Sequence, residues 1–163
     1  MTFSVYTSAL LSLAALSTGL MAGIYFAFSS FIMQAFEKIE EEQAIAAMNS
    51  INETILRSWF MPLFFGSSII SVILLFSTLS ESGQFNSYLI ITACIIYIVG
   101  MLVSTALFNV PLNKALANVA STHLASHITW SDYLKKWTFW NHVRMLASLF
   151  SCIMFAYSIT QIS

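Results

Sequence analysis

Four apolar runs, each close to the length of a bilayer crossing, constrain this chain more than anything else in it. They cover residues 4–36, 61–79, 88–109 and 130–160. About 20 predominantly apolar residues suffice to span the hydrocarbon core of a membrane. Only 8% of the 163 residues are charged and 58% are hydrophobic, whereas soluble domains carry about 25% charged residues. The expected class is all-α, a four-helix transmembrane bundle in which residues 1–163 form a single membrane domain. The formal net charge of -1 comes with no basic stripe that would track nucleic acid. Cys94 and Cys152 lie inside apolar runs and read as small buried hydrophobes rather than a disulfide framework. The first run lacks a basic n-region and far exceeds the about 7–15 apolar residues of a signal peptide, so it reads as a retained helix. Neither end carries a lipidation motif.

Connections and charges suggest how the runs are arranged. Pro62 suits the first turn of the second span, where its missing N–H has no partner to lose. The polar stretch SESGQFN, residues 80–86, predicts a tight turn that makes spans two and three an antiparallel hairpin. Pro111 is expected to end or kink the third span. The six cationic residues, Lys38, Arg57, Lys114, Lys135, Lys136 and Arg144, all fall in or beside the first and third connections. By the positive-inside rule those connections are cytoplasmic and both termini face outward. The expected location is the bacterial cytoplasmic (inner) membrane. Residues 4–36 would form a helix about 50 Å long, against a hydrocarbon core of about 30 Å. TWSD, residues 129–132, resembles a capping box and would give the last helix a similar length. The first and last helices are therefore expected to extend into the cytoplasm beyond two shorter ones. Amphipathic cytoplasmic segments are expected over residues 40–57 and 112–128.

The few polar residues gather on that cytoplasmic side. Ile45, Met48, Asn52, Ile55 and Trp59 are spaced 3, 4, 3 and 4, which puts Asn52 on an apolar helix face in need of a partner. Glu37, Glu40, Glu41 and Glu42 read as a solvated turn. On the last helix Trp130, Trp137, Asn141, Arg144, Ser148 and Ser151 share one seam that runs into the membrane. Asn109 and Asn113 flank Pro111, and Tyr25, Ser29, Ser30 and Gln34 end the first span. The outward side offers little that is polar beyond its turns. Such asymmetry predicts a pocket open to the cytoplasm or inner leaflet, and intramembrane ionisable groups such as Arg144 are candidates for function. A structural account competes: asparagines glue helices, Arg144 snorkels to lipid phosphate, and Trp137 and Trp140 belong to an aromatic belt. Ala15, Gly19, Gly23 and Ala27 form a small-residue ridge for close helix packing, within the chain or in a homo-oligomer. Membrane lipid is the other expected partner.

Four stretches in order, TGLMAGIYFAFSSFIMQAF (18–36), AMNSIN (47–52), FNVPLNKAL (108–116) and WSDYLKKWTFWNHVR (130–144), resemble the small four-helix membrane proteins of the anthrone oxygenase-like family. The resemblance implies oxidation of an apolar aromatic, anthrone-like or quinone-like, with molecular oxygen as co-substrate and no cofactor. It carries Phe28, Ser29, Asn52, Asn109, Pro111, Asn113, Trp137, Asn141, His142 and Arg144 onto the family's motifs. On that view His142 is the base, because its ordinary pKa near 6.5 suits proton abstraction. Arg144, Asn141 and Asn109, with Asn52, would stabilise developing negative charge. Tyr25, Phe28, Ser29, Asn113 and Trp137 would contact the substrate. His142 lies about 100° round the helix from Asn141, so base and donors converge only on a broad seam. Three other classes stay open: a lipid- or quinone-binding protein, a structural subunit, and a haem or metal protein. For the last, His123 and His127 are four apart, yet no HExxH motif or well-spaced carboxylate supports a site. No metal ligand is assigned.

Overall fold

The computed structural model describes residues 5–80, 85–119 and 123–161, with side chains for all of these except 85 and 123–126. Four of its helices are long and apolar enough to cross a membrane, and the described residues contain no strand. By length and composition the chain is an integral membrane protein with an all-α bundle fold. Helix α1 runs Val5–Phe36, α2 Glu41–Ile55, α3 Phe60–Leu79 and α5 His123–Thr160. Between α3 and α5, α4 joins Phe85–Tyr97 to Val110–Ala117 through two π-helical stretches, Ile98–Val103 and Thr105–Asn109. Helix α1 carries a similar stretch at Phe28–Ile32.

The four long helices are apolar on nearly every face, as segments without a water-facing side must be. Leu16, Phe31, Ile69, Phe76, Ile95 and Phe150 point outward where lipid would cover them. Helix α5 packs against both α1 and α4, while α3 closes the ring against α1 and α4. Helix α2 differs: Glu41 and Glu42 in its first turn suit the positive end of the helix dipole, and Ala44, Ile45 and Met48 are buried. It lies across the ends of α4 and α5. Its buried face joins Met33, Leu116, Trp130, Tyr133 and Trp137 in one core layer. Met21, Tyr25, Phe64, Tyr97 and Met101 form the middle layer. Leu11, Ala14, Leu74, Ile90, Cys94 and Phe155 form the layer farthest from α2.

Several expectations change against this architecture. Pro111 neither ends nor breaks α4, which continues to Ala117. The π-helical turn of Thr105–Asn109 precedes it, so the proline enters at the first positions of the following α-helical segment, where a ring without an N–H is tolerated. Only α3, at 20 residues, is short, since α1 and α4 each contribute 32-residue apolar helices. Helix α5 begins at His123, ahead of the expected start at 130. Of the segment expected over 112–128, the described residues 112–117 finish α4 and 123–128 begin α5. Residues 81–84 of the expected turn, and the side chain of His123, lie outside the described residues. Trp59 leaves the inward face because α2 stops at Ile55 and the helical phase is lost; its side chain is 88% exposed. The small-residue ridge is used only in part. A methyl on Gly19 would sit 3.1 Å from Cys152 Sγ of α5, whereas Gly23 has nothing within 4 Å. The closest approach at any described glycine was not anticipated: a Cβ on Gly100 would collide with Ala147 Cβ.

Candidate functional site

The three π-helical stretches matter because each contributes to the lining of one cavity, through Phe28, Leu102, and Thr105 with Asn109. A π turn holds an extra residue, loosens the local packing and is often found at functional sites. Here the turns surround a cavity of about 530 Å³, inside the range of about 300–1,000 Å³ typical of small-molecule sites. Its lining comes from every helix. Tyr25 and Phe28 come from α1; Met48, Asn49 and Asn52 from α2; Phe60 and Phe64 from α3; Thr105, Asn109 and Asn113 from α4; and Trp137, Asn141 and Arg144 from α5. The exposed side chains of Glu53 and Lys114 stand at its rim.

The polar groups concentrate on α5 and its neighbours. Asn141 is fully buried. Its amide nitrogen donates to the Tyr25 carbonyl and to Ser29 Oγ, each at 2.7 Å. Its Oδ1 accepts from Arg144 Nη2 at 2.9 Å. Asn141 therefore ties α5 to the π-helical turn of α1 and fixes the guanidinium at the same time. Arg144, 5% exposed, lies 4.5 Å from the Tyr25 ring centroid and 5.0 Å from that of Trp137. Cation–π contacts of this kind favour a desolvated charge. Asn109 donates to the Trp137 carbonyl at 3.3 Å, and the Tyr133 hydroxyl donates to Asn113 Oδ1 at 2.8 Å. Phe28 packs on Trp137 with centroids 5.5 Å apart. On the opposite wall Phe60 stacks on Phe64 at 5.8 Å and meets Tyr25 edge-on at 6.5 Å.

Not every polar group is satisfied. Arg144 Nε, Asn109 Oδ1 and Trp137 Nε1 are enclosed without a hydrogen-bond partner, as is Asn49 Oδ1. Asn52 Nδ2 faces Tyr133, and the Tyr25 hydroxyl faces Thr105 and Arg144, but neither closes a bond of good geometry. Unsatisfied buried polar atoms are uncommon in native proteins, and each invites an explanation. Here all of these belong to residues that line one cavity. The open atoms comprise donors, Arg144 Nε and Trp137 Nε1, and acceptors, Asn109 Oδ1 and Asn49 Oδ1.

Of the residues expected at the site, Tyr25, Phe28, Asn52, Asn109, Asn113, Trp137, Asn141 and Arg144 all line the cavity. Ser29 sits just behind, held by Asn141. The predicted seam is buried along its whole length, from Trp130 to Ser151. His142 is not brought to the site: its side chain is exposed and lines no part of the cavity. The step of about 100° per residue turns it off the face that Asn141 and Arg144 share. Trp140 likewise faces away and stacks on Phe108 with centroids 3.6 Å apart. His127 is tied to Glu41 at 2.8 Å, fastening the start of α2 to α5. Among the described residues no three His, Cys, Asp or Glu side chains converge as metal ligands would. Sequence reasoning missed Tyr133, Phe60 and Phe64. Tyr133 had a signal, since Trp130, Tyr133 and Trp137 are spaced 3 and 4. The two phenylalanines had none beyond their own four-residue spacing.

No curated protein and no solved structure matches this chain. One family of sequences does, over residues 56–154. That stretch includes Asn109, Asn113, Trp137, Asn141 and Arg144, but not the α1 and α2 residues across the cavity. The matching family is described as anthrone oxygenase, and because the match covers more than half of the sequence, the chain belongs to it.

Proposed function

We propose that the cavity binds an apolar aromatic, anthrone-like or quinone-like molecule and that the protein oxidises it with molecular oxygen. The observation that carries this reading is a cavity whose aromatic walls end in the Arg144–Asn141–Asn109 cluster, with Arg144 Nε and Trp137 Nε1 left open as donors. Trp137, Phe28, Phe60 and Phe64 form the slot, and Asn52 and Asn113 orient polar substituents. The ligand's carbonyl oxygen faces Arg144, where fixed donors in a water-poor site stabilise negative charge as it develops. For an anthrone, the ring methylene loses a proton and the resulting carbanion adds O2. Loss of water from the hydroperoxide then leaves the second carbonyl. One atom of O2 ends in the quinone and the other in water. Asn141 acts as a positioning residue, since its amide is committed to Tyr25, Ser29 and Arg144. The six cations flank the cavity end, which supports placing it on the cytoplasmic side of a bacterial inner membrane with both termini outside.

Oxygen consumption by the purified chain with anthrone as substrate tests the reading. Uptake stoichiometric with anthraquinone, falling at least about tenfold in Trp137→Ala, is the expected result. Saturable binding with no uptake above the protein-free rate would instead leave a quinone- or lipid-binding protein.

A further inference from the structure

The charge of Arg144 is uncompensated. A guanidinium keeps its proton wherever it sits, and buried charges are ordinarily paired. Yet no carboxylate among the described residues lies within ion-pair distance of it. Its partners are one amide oxygen and two aromatic faces, and Nε is left open. Among the described residues, Glu53 is the single carboxylate along the cavity and Lys114 the one other cation; both stand exposed at the rim, and no histidine contributes to the lining. The interior therefore holds a fixed positive charge and no group suited to take a proton.

Resting on the aromatic-ligand reading above, we infer that this cavity holds its ligand as an oxyanion, a phenolate or enolate paired with Arg144, and that the ligand's proton leaves to bulk water. In a phenol the O–H bond breaks; in an anthrone the methylene C–H bond breaks. The electron pair stays on the ligand and delocalises onto the oxygen facing Arg144, and the proton passes to water or buffer at the mouth. No oxidant takes part in this step. Binding and ionisation are thereby coupled, so the site selects aromatics that carry an acidic hydroxyl or an enolisable carbonyl over plain hydrocarbons of equal size.

The test uses the full chain in detergent micelles with 2-hydroxyanthraquinone, whose phenol and phenolate forms differ in colour. Bound dye is expected to titrate at least about one pH unit below dye in protein-free micelles, equivalent to a tenfold preference for the phenolate. In weakly buffered solution held between the bound and the free dye's titration midpoints, binding should release protons, about half a proton per dye for a one-unit shift and approaching one as the shift widens. Arg144→Gln should abolish both effects while still binding neutral anthraquinone, and Arg144→Lys, which keeps a cation, should retain the direction of the shift. Dye that binds with its free-solution titration unchanged would overturn the inference and leave the aromatic-ligand reading standing. Failure of both the dye and anthraquinone to bind saturably would overturn the two together. Proton release that is absent from the unsubstituted chain and recovered in Glu53→Gln would make the rim carboxylate the acceptor and overturn release to water.

Discussion

The two ends of the bundle are built from the same four long helices, yet one packs solid around its polar side chains and the other leaves a cavity beside them. Far from α2, hydroxyls and an amide are turned back onto the backbone. Thr18 donates to the Ala14 carbonyl at 2.7 Å and Ser151 to that of Ala93 at 2.9 Å. Asn86 donates to the Ser158 carbonyl at 3.3 Å. Leu11, Ala14, Ile90, Cys94 and Phe155 fill the spaces between them. Both ends leave buried polar atoms without a partner, but Asn86 Oδ1 and Ser158 Oγ do so in the packed end, whereas near α2 those of Arg144, Asn109 and Trp137 belong to residues that line a cavity. The backbone accounts for the difference. Helix α1 is regular over Val5–Ala27 and α4 over Phe85–Tyr97, and the π-helical turns come only afterwards in each. Polar residues alone do not make a site here; it takes polar residues beside helices whose regular α turns are interrupted.

The largest effect that would test this contrast is Phe155→Ala, at a fully buried position in the packed end. A loss of about 3–5 kcal/mol is expected, read as a lower unfolding midpoint in detergent. Phe60→Ala, which only enlarges an existing cavity, should cost clearly less while weakening ligand binding. Equal losses at the two positions would erase the distinction. Next comes Gly100→Ala, where the new methyl collides with Ala147 and overpacking should cost about 1–3 kcal/mol. An unchanged midpoint would show that α4 and α5 separate freely at this point. Ser151→Ala removes one hydrogen bond to the Ala93 carbonyl and should cost about 0.5–1.5 kcal/mol with turnover unaffected. The smallest change is expected for His142→Ala: stability within about 0.5 kcal/mol and undiminished oxygen uptake. A collapse of activity there would return the histidine to the site.

Much of this arrangement was readable from residue spacing, and the failures share one cause. The α5 seam was legible because a regular helix preserves its period over many turns, from Trp130 to Ser151. The same period, applied strictly, already turned His142 away from Asn141. Asn109 and Asn113 were recognisable as polar residues beside a proline at a membrane boundary. What spacing could not show was that α4 continues through Pro111, because π-helical hydrogen bonding leaves no mark in hydropathy. Trp59 was misplaced for a related reason: a period was extended past the point where its helix stops. The outward half was expected to be nearly free of polar groups, yet it buries Thr18, Ser71, Thr78 and Ser151. Serine and threonine inside a helix can satisfy themselves on the preceding turn, which makes them easy to overlook and cheap to bury.

The π-helical turns also make the site depend on the number of residues as well as their identity. Shortening Phe28–Ile32 by one residue would let α1 close into an uninterrupted α-helix, hydrophobic throughout and still long enough to cross a membrane. The flanking turns would keep their phase, because the residue removed is the extra one, but the widened turn that carries Ser29 would close up. The Tyr25 carbonyl and Ser29 hydroxyl that now hold Asn141 would no longer face it together. A chain differing by a single deletion could thus keep its composition, its spans and its bundle while losing the geometry of the cavity.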